Sequence, residues 1–278
     1  MDIRIIEKIS PESDVGEAIH NLVCTQLGNE QSLEATLGQI GYESGKAILV
    51  GGFVNSELAT MNAFMPQSFV RSNRSIVGYQ SGFSATDGNH RGKGYWPKLM
   101  AASIDIMRSK GAGFIFGFPN PVSQPLFEKK LGFTTAPMWR VVAPELMGRM
   151  VKFETERIRD CYRPNLRELA DLKRQGDVDL IQVEADGCFA FGKVRSAKGL
   201  RFVDIGGLAS EDGRLNNAVR LLCKAARAPV FRFEADQRGM LQNAFWPKRV
   251  SRPVIFKALN DELSIGDISL VGGLADNY

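Results

Sequence analysis

Val77–Thr86 reads VGYQSGFSAT, Asp87–Gly94 reads DGNHRGKG and Tyr95–Lys110 reads YWPKLMAASIDIMRSK; Gly113–Asn120, GFIFGFPN, and Ser123–Phe133, SQPLFEKKLGF, follow. The first run is β-prone, and the third carries an apolar helical stripe through Trp96, Leu99, Met100, Ser103, Ile106 and Met107. GFIFGF suits a short buried strand, so the stretch predicts a β-loop-α-β unit with Arg91, Gly92, Lys93 and Gly94 at its first turn. Free backbone amides at a helix start, glycines without a Cβ and two cations together favour an anionic guest. Pro97 falls in the first helical turn, where a missing N–H costs little. A Gly-rich turn alone is compatible with an ordinary loop; the flanking strand and helix are what favour an anion cradle.

Composition sets the frame around this unit. The 278 residues are 44% hydrophobic, enough for one large or two ordinary domains. No apolar run approaches the roughly 18 residues of a membrane span, and MDIRIIEKISPESD lacks a signal-peptide core, so a cytoplasmic protein without a membrane partner is expected. Cys24, Cys161, Cys188 and Cys223 are widely spaced without a CxxC pair, which predicts reduced cysteines and no metal site. The net charge of +4, from 35 basic and 31 acidic residues, forms no basic stripe. Nucleic acid is therefore not an expected partner, whereas a phosphate-bearing cofactor is compatible with the mild bias.

Taken in order, IRIIEKI predicts a strand and Pro11–Asp14 a helix start. Ser32–Leu37 predicts a second helix. KAILVGGFVN, ELATMNAFMPQSFV and IVGYQSGFSAT predict three strands of an antiparallel meander with turns at Asn55-Ser56 and Ser72-Asn73. Residues 151–177 are charge-rich and helical, broken at Pro164, and read as a connector; a boundary near Met150 divides the chain into 1–149 and 150–278. Beyond it, three strands, a helix with Leu215, Ala218, Val219, Leu222, Cys223 and Ala226 on one face, a strand, a short helix near 240–245 and a last strand repeat the order of residues 47–143. The second copy has Ser210-Glu211-Asp212-Gly213-Arg214 where the first has its cradle, and the two acids there would repel a diphosphate.

Arg91-Gly92-Lys93-Gly94-Tyr95-Trp96 resembles the Q/R-x-x-G-x-G/A signature of the GCN5-related N-acetyltransferase (GNAT) superfamily, departing from it at Trp96, where a small residue is usual. The order of elements, Asn120 after the next strand and the closing Gly132-Phe133 resemble it too. The resemblance implies a mixed α/β GNAT fold as a tandem pseudo-repeat, with a degenerate second half completing the substrate cleft. It implies acetyl-CoA, or another acyl-CoA, as co-substrate and transfer of the acyl group to a primary amine of a small molecule, an amino sugar being one candidate. The implied cofactor-binding residues are Ser84 and Thr86 through their main chain, Arg91, Gly92, Lys93, Gly94, Tyr95, Asn120, Ser123 and Phe127. Over its whole length the chain resembles two-unit acetyltransferases of bacterial polysaccharide pathways, chiefly through GFPNPVSQPLFEKKLGF and SLVGGLADNY.

Several readings stay open. Asn120 serves either a ligand or its own turn. The Tyr that usually protonates the leaving thiolate has no counterpart near Phe127 and Glu128, and the catalytic acid and base are unassigned. Tyr79 and Glu128 are the nearest polar residues on cleft-forming elements, each also explicable structurally. His20 and His90 read as a helix filler and a loop residue. A non-catalytic GNAT-like binding module, or an acyltransferase taking long acyl chains from a carrier protein, are the alternatives, and an edge strand of either half leaves room for a homodimer.

Overall fold

The computed structural model describes residues 1–6, 13–28, 31–40, 47–146, 160–175, 179–211, 215–236 and 249–274. They divide into two compact units, one of residues 1–67, 77–134 and 255–263, the other of residues 68–76, 135–254 and 264–278.

The first unit is built on β1 (Asp2–Ile6), β2 (Ile48–Val54), β3 (Glu57–Arg71), β4 (Arg74–Thr86) and β5 (Phe114–Gly117), which lie side by side in that order. The β1–β2 and β2–β3 pairs are antiparallel, and β4–β5 is parallel. The expected tight turns hold non-glycine residues in the left-handed region, at Asn55 (φ 51), Ser56 (φ 70) and Ser72 (φ 52). Short polar side chains tolerate that conformation best.

Helix α1 (Asp14–Leu27) starts where Ser13 accepts the Gly16 amide and stops at Gly28 with φ 66. Both caps satisfy donors or acceptors that a helix leaves unpaired. The helix buries Ile19, Leu22 and Val23 in a cluster with Leu33 of α2 (Leu33–Ile40), Leu49, Met61, Ala63 and Met65. On the other cluster, α3 (Tyr95–Ser109) and α4 (Gln124–Leu131) bring Leu99, Met100, Ile104, Met107, Phe127 and Leu131 against Val50, Phe64 and Ile115. The α3 stripe differs from the sequence expectation at one place: Ile104 is in the core and Ile106 only packs at its side. Each fully buried chain such as Leu99 or Met100 contributes about 1.5–3 kcal/mol of apolar transfer.

The strand that completes this sheet comes from far downstream. Ile255–Ala258 of β12 (Arg249–Ala258) pairs antiparallel with Phe114–Gly117. The unit therefore does not end near residue 149: β6 (Thr134–Pro144) already runs mostly in the second unit, and residues 255–263 return to the first. Local sequence carries no register information between runs separated by more than 130 residues, and a cut at the charge-rich stretch missed the exchange.

In the second unit the strand order is β12, β6, β11 (Val230–Asp236), β10 (Leu200–Ser210), β9 (Cys188–Ala197), β8 (Leu180–Ala185). Here β8–β9–β10 form an antiparallel meander, α6 (Leu215–Ala226) follows, and β11 lies parallel to β10. The order of elements is the same as β2-β3-β4-α3-β5 in the first unit. The short helix expected near 240–245 lies outside the described residues, as do 151–159 of the connector. Its described part is structural: β7 (Arg163–Pro164) pairs with Phe69–Val70, and α5 (Leu166–Gln175) buries Leu169 and Ala170.

A buried ion cluster ties β6, β11 and β12 in this unit. Glu234, 2% exposed, accepts from Arg140, Arg252 and Ser251. Burial by itself would raise its pKa, but Arg252 and the Ser251, Arg252 and Arg140 hydrogen bonds together hold the carboxyl below its ordinary value. Asp204 pairs with Arg232 across β10 and β11 where the two stand in register.

Candidate active site

In the first unit, β4 and β5 pair only from Gly78↔Phe114 to Ser81↔Gly117. Beyond Ser81, β4 continues to Thr86 while β5 has ended, so a wedge opens between them. The turn of β4 at this place is produced by Phe83, which has φ 49 inside the strand. An aromatic residue in that region is strained, and one extra residue there inverts which face the following side chains occupy. Tyr79 packs on the α3/α4 side, yet Phe83 and Ala85, four and six residues on, pack with the α1/α2 cluster. Ser81 and Ser84, three apart, both donate to Asn62 Oδ1. The bulge was not legible in the sequence, because neither Asn nor Gly marks its position.

This explains what Ser84 and Thr86 do. Their hydroxyls are engaged with β3, Ser84 with buried Asn62 and Thr86 with Thr60 at 2.9 Å, while Thr60 also donates to the Ala85 carbonyl at 3.0 Å. The side chains fix the strand, leaving its main chain at the wedge.

The cradle follows directly. Asp87 caps a short 3-10 turn, Gly88–His90, by accepting the Asn89 amide. Gly92 (φ 74) and Gly94 (φ 73) then turn the chain into α3, and a Cβ at either would meet nothing within 4 Å. Neither glycine is demanded by crowding; both answer a backbone conformation that disfavours side chains. No side chain caps α3, and among the described residues the amides of Gly92, Lys93, Gly94, Tyr95 and Trp96 have no hydrogen-bond partner. Unpaired N–H groups at the positive end of a 15-residue helix supply the chemistry that an anion requires.

The side chains divide into two kinds. Lys93 is exposed, whereas Arg91 is anchored: its guanidinium donates to Gln26 Oε1 of α1 and, at 3.4 Å, to the Thr86 carbonyl. Tyr95 stands 5.8 Å from the ring of His90, whose Nδ1 is buried without a partner among the described residues. Trp96 does not enter the cradle. Its indole packs edge-on against Phe127 with centroids 5.0 Å apart, and Phe127 in turn meets Phe133 at 5.0 Å. The bulky residue at the last signature position thus joins the α3/α4 core.

The remaining sequence candidates are distributed. Asn120 Oδ1 accepts the amides of Val122 (3.0 Å) and Ser123 (2.8 Å), which starts α4; this is the turn-forming role. Ser123 Oγ donates back to the Asn120 carbonyl at 3.3 Å. Phe127 is 4% exposed, and Glu128 accepts from Gln124 at 2.9 Å. Tyr79 is mostly buried beside the wedge, and burial pushes its phenol pKa up. His20 lies within 3.7 Å of Cys24, one turn along α1. All four cysteines are free, three of them buried and Cys24 half-buried.

The second unit contains the same wedge and closes it. Parallel pairing of β10 with β11 ends at Ile205↔Phe233, although β10 runs on to Ser210. Into that gap comes the segment 268–274: Leu270 and Asp236 exchange backbone and carboxylate hydrogen bonds, Val271 bridges Ala235, and Gly273 lies so close to Gly206 that a Cβ would stand 2.6 Å from its carbonyl oxygen. The gap in the second unit is filled by its own segment 268–274, which distinguishes it from the place in the first unit where β4 runs on past β5.

Comparison with known proteins accords with this geometry. Residues 12–136 match the family model described as acetyltransferase (GNAT) domain. The fold is similar to a GCN5-related N-acetyltransferase from Kribbella flavida (12% identity, TM-score 0.63, 93% of this chain and 72% of that one). It is also similar to one from Anabaena variabilis (9%, 0.62, 93% and 73%) and to a probable N-acyltransferase from Enterococcus faecalis (10%, 0.62, 94% and 73%). No curated protein matches the sequence. Residues 12–136 are thus similar to a GNAT acetyltransferase domain, and the chain shares the fold of these solved N-acetyltransferases. Among the described residues no helix is long and apolar enough to cross a membrane.

Proposed function

We propose that the protein transfers an acetyl or closely related acyl group from acyl-CoA to a primary amine of a small molecule, in the cytoplasm. The observation that carries this reading is the row of unpaired amides from Gly92 to Trp96 directly beyond the point where β4 leaves β5. A diphosphate fits the amides and Lys93, with Arg91 prepositioned by Gln26; the open space in front of Gly92 and Gly94 admits the group. Bound there, the acyl-CoA supplies an activated thioester.

The chain's own part is positional and electrostatic. The β4 main chain past the Phe83 bulge supplies N–H groups for the pantetheine arm and for the oxygen that gains charge as the amine attacks. A simple thiol has a pKa of about 8.5, so the departing thiolate leaves without a dedicated acid at Phe127. Tyr79, whose phenol burial keeps protonated, is the nearest candidate donor on β4. The amine must be neutral to react, and its base is unassigned. An amino sugar is the acceptor we would test first, alongside amino acids and peptides.

One observation favours a second reading, in which the protein binds acyl-CoA without turnover: Phe127 is locked between Trp96 and Phe133 where a proton donor would be expected. Release of free CoA in the presence of candidate amines separates the two. The cradle itself is tested by replacing Arg91 and Lys93 with Glu. Acetyl-CoA stabilises the native protein by mass action and raises its Tm; the double variant should lose that shift, and an undiminished shift refutes the assignment.

A further inference from the structure

Residues 58–65 of β3 are all buried, and Asn62 among them is 0% exposed. Its neighbours on the strand are core residues: Met61, Ala63 and Met65 turn to the α1/α2 cluster and Phe64 to the α3/α4 cluster. A polar side chain at that depth is tolerated only where its groups are bonded. The amide is oriented by its own strand. Nδ2 donates to the Ala63 carbonyl at 2.9 Å, an oxygen that can only accept, so Oδ1 is the atom that takes the hydroxyls of Ser81 and Ser84.

The two serines bracket the bulge in β4. Ser81 is the last residue that pairs with β5, opposite Gly117, and Ser84 is the first after Phe83 with its φ of 49. In a regular strand residues three apart stand on opposite faces, so one oxygen can hold both hydroxyls only when the bulge is present. Asn62 Oδ1 therefore favours the strained backbone at Phe83, and a straightened strand would take one serine away from it. Thr60, also 0% exposed, grips Ala85 and Thr86, beyond the bulge; Asn62 spans it. The cradle leans on other supports, since Arg91 donates to Gln26 and to the carbonyl of Thr86, the residue that Thr60 holds.

We infer that Asn62 is a positioning residue for the acyl donor: through Ser81 and Ser84 it sets where the β4 main chain at 82–85 presents its N–H groups to the pantetheine arm, while the diphosphate is held at Gly92–Trp96 without it. This role rests on the acyl-CoA reading of the first unit and deepens it, by dividing the donor's binding between two separately supported parts of that unit.

Isothermal titration with CoA and with adenosine 3′-phosphate 5′-diphosphate, which is CoA lacking the pantetheine arm, tests it. The parent should bind CoA about tenfold or more tighter than the bare nucleotide. In Asn62→Ala and in Ser84→Ala that advantage should shrink about tenfold, with affinity for the bare nucleotide kept within about twofold, because a strand displaced by about 1 Å loses its alignment with the arm. Ser84→Thr, which keeps the hydroxyl, should retain the advantage. A general loss of stability would weaken both ligands alike and leave their ratio in place. Should Asn62→Ala unfold, the Ser84 pair decides alone. An unchanged advantage in either folded alanine variant, an equal loss for CoA and the bare nucleotide, or a Ser84→Thr that behaves as Ser84→Ala overturns the positioning role alone. A parent that binds neither ligand overturns the acyl-CoA reading itself, and this role with it.

Discussion

Replacing Glu234 tests how the second unit is held. The carboxylate is 2% exposed and bonded to Arg140 and Arg252, each at 2.6 Å, and to Ser251 at 2.7 Å. Removing one partner of a buried pair costs about 3–5 kcal/mol, because the other charge is left without compensation. Both arginines keep some solvent access, 38% and 24%, so the lower end, ~3 kcal/mol, is the expectation for Glu234→Ala. At roughly 2–4 °C per kcal/mol for a protein of this size, calorimetry should record a Tm lower by about 6–12 °C. The pH dependence has a definite sign. The folded carboxyl is held below its ordinary value, so its contribution is complete above about pH 4.3 and is lost as the pH falls through the depressed value. Glu234→Ala should therefore differ most from the parent near neutrality and converge with it in acid. A Tm within 2 °C of the parent at pH 7, or a gap that widens on acidification, refutes this account of the cluster.

Lys93→Glu exchanges an exposed cation, without a partner among the described residues, for an anion. It should leave Tm unchanged and weaken CoA binding by about 30-fold at low salt, since reversing one charge at 4 Å in water is worth ~2 kcal/mol; titration at high ionic strength should shrink the difference. Gly78→Ala should lower stability by about 1–3 kcal/mol in denaturant unfolding, because its Cβ would stand 2.3 Å from the buried Phe114 ring. Among the cysteines, Cys24 should be labelled first by a maleimide under native conditions. Cys223, whose thiol burial foremost and Glu145 next push up to about 12, should react only after unfolding, as about one part in 10,000 would be thiolate at pH 8.

The sequence disclosed what local chemistry encodes. Ser13 and Gly28 bracket α1, Asn55-Ser56 and Ser72 turn the meander, and Gly92 and Gly94 mark the one loop where α3 begins without a side-chain cap. It concealed what depends on distant partners or on strain. Phe83 carries no composition signal for a positive φ, although it sets the direction of Ser84 and Thr86. The close approach of Gly273 to Gly206 joins runs more than 60 residues apart, which no local pattern encodes. Asn120 was ambiguous because one amide can serve a turn or a ligand, and its hydrogen bonds decide for the turn.

The pairing of Ile255–Ala258 with Phe114–Gly117 has a bearing on biosynthesis. During translation the hydrogen-bonding edge of β5 must wait through some 140 further codons for its mate, whereas α1, α2 and the β2–β3 hairpin are complete early. Emerging chains usually settle module by module from the amino end. Here a ribosome halted at Glu145 would release a fragment with a bare, aromatic edge strand, the kind of surface that recruits chaperones or sticks to its own copies.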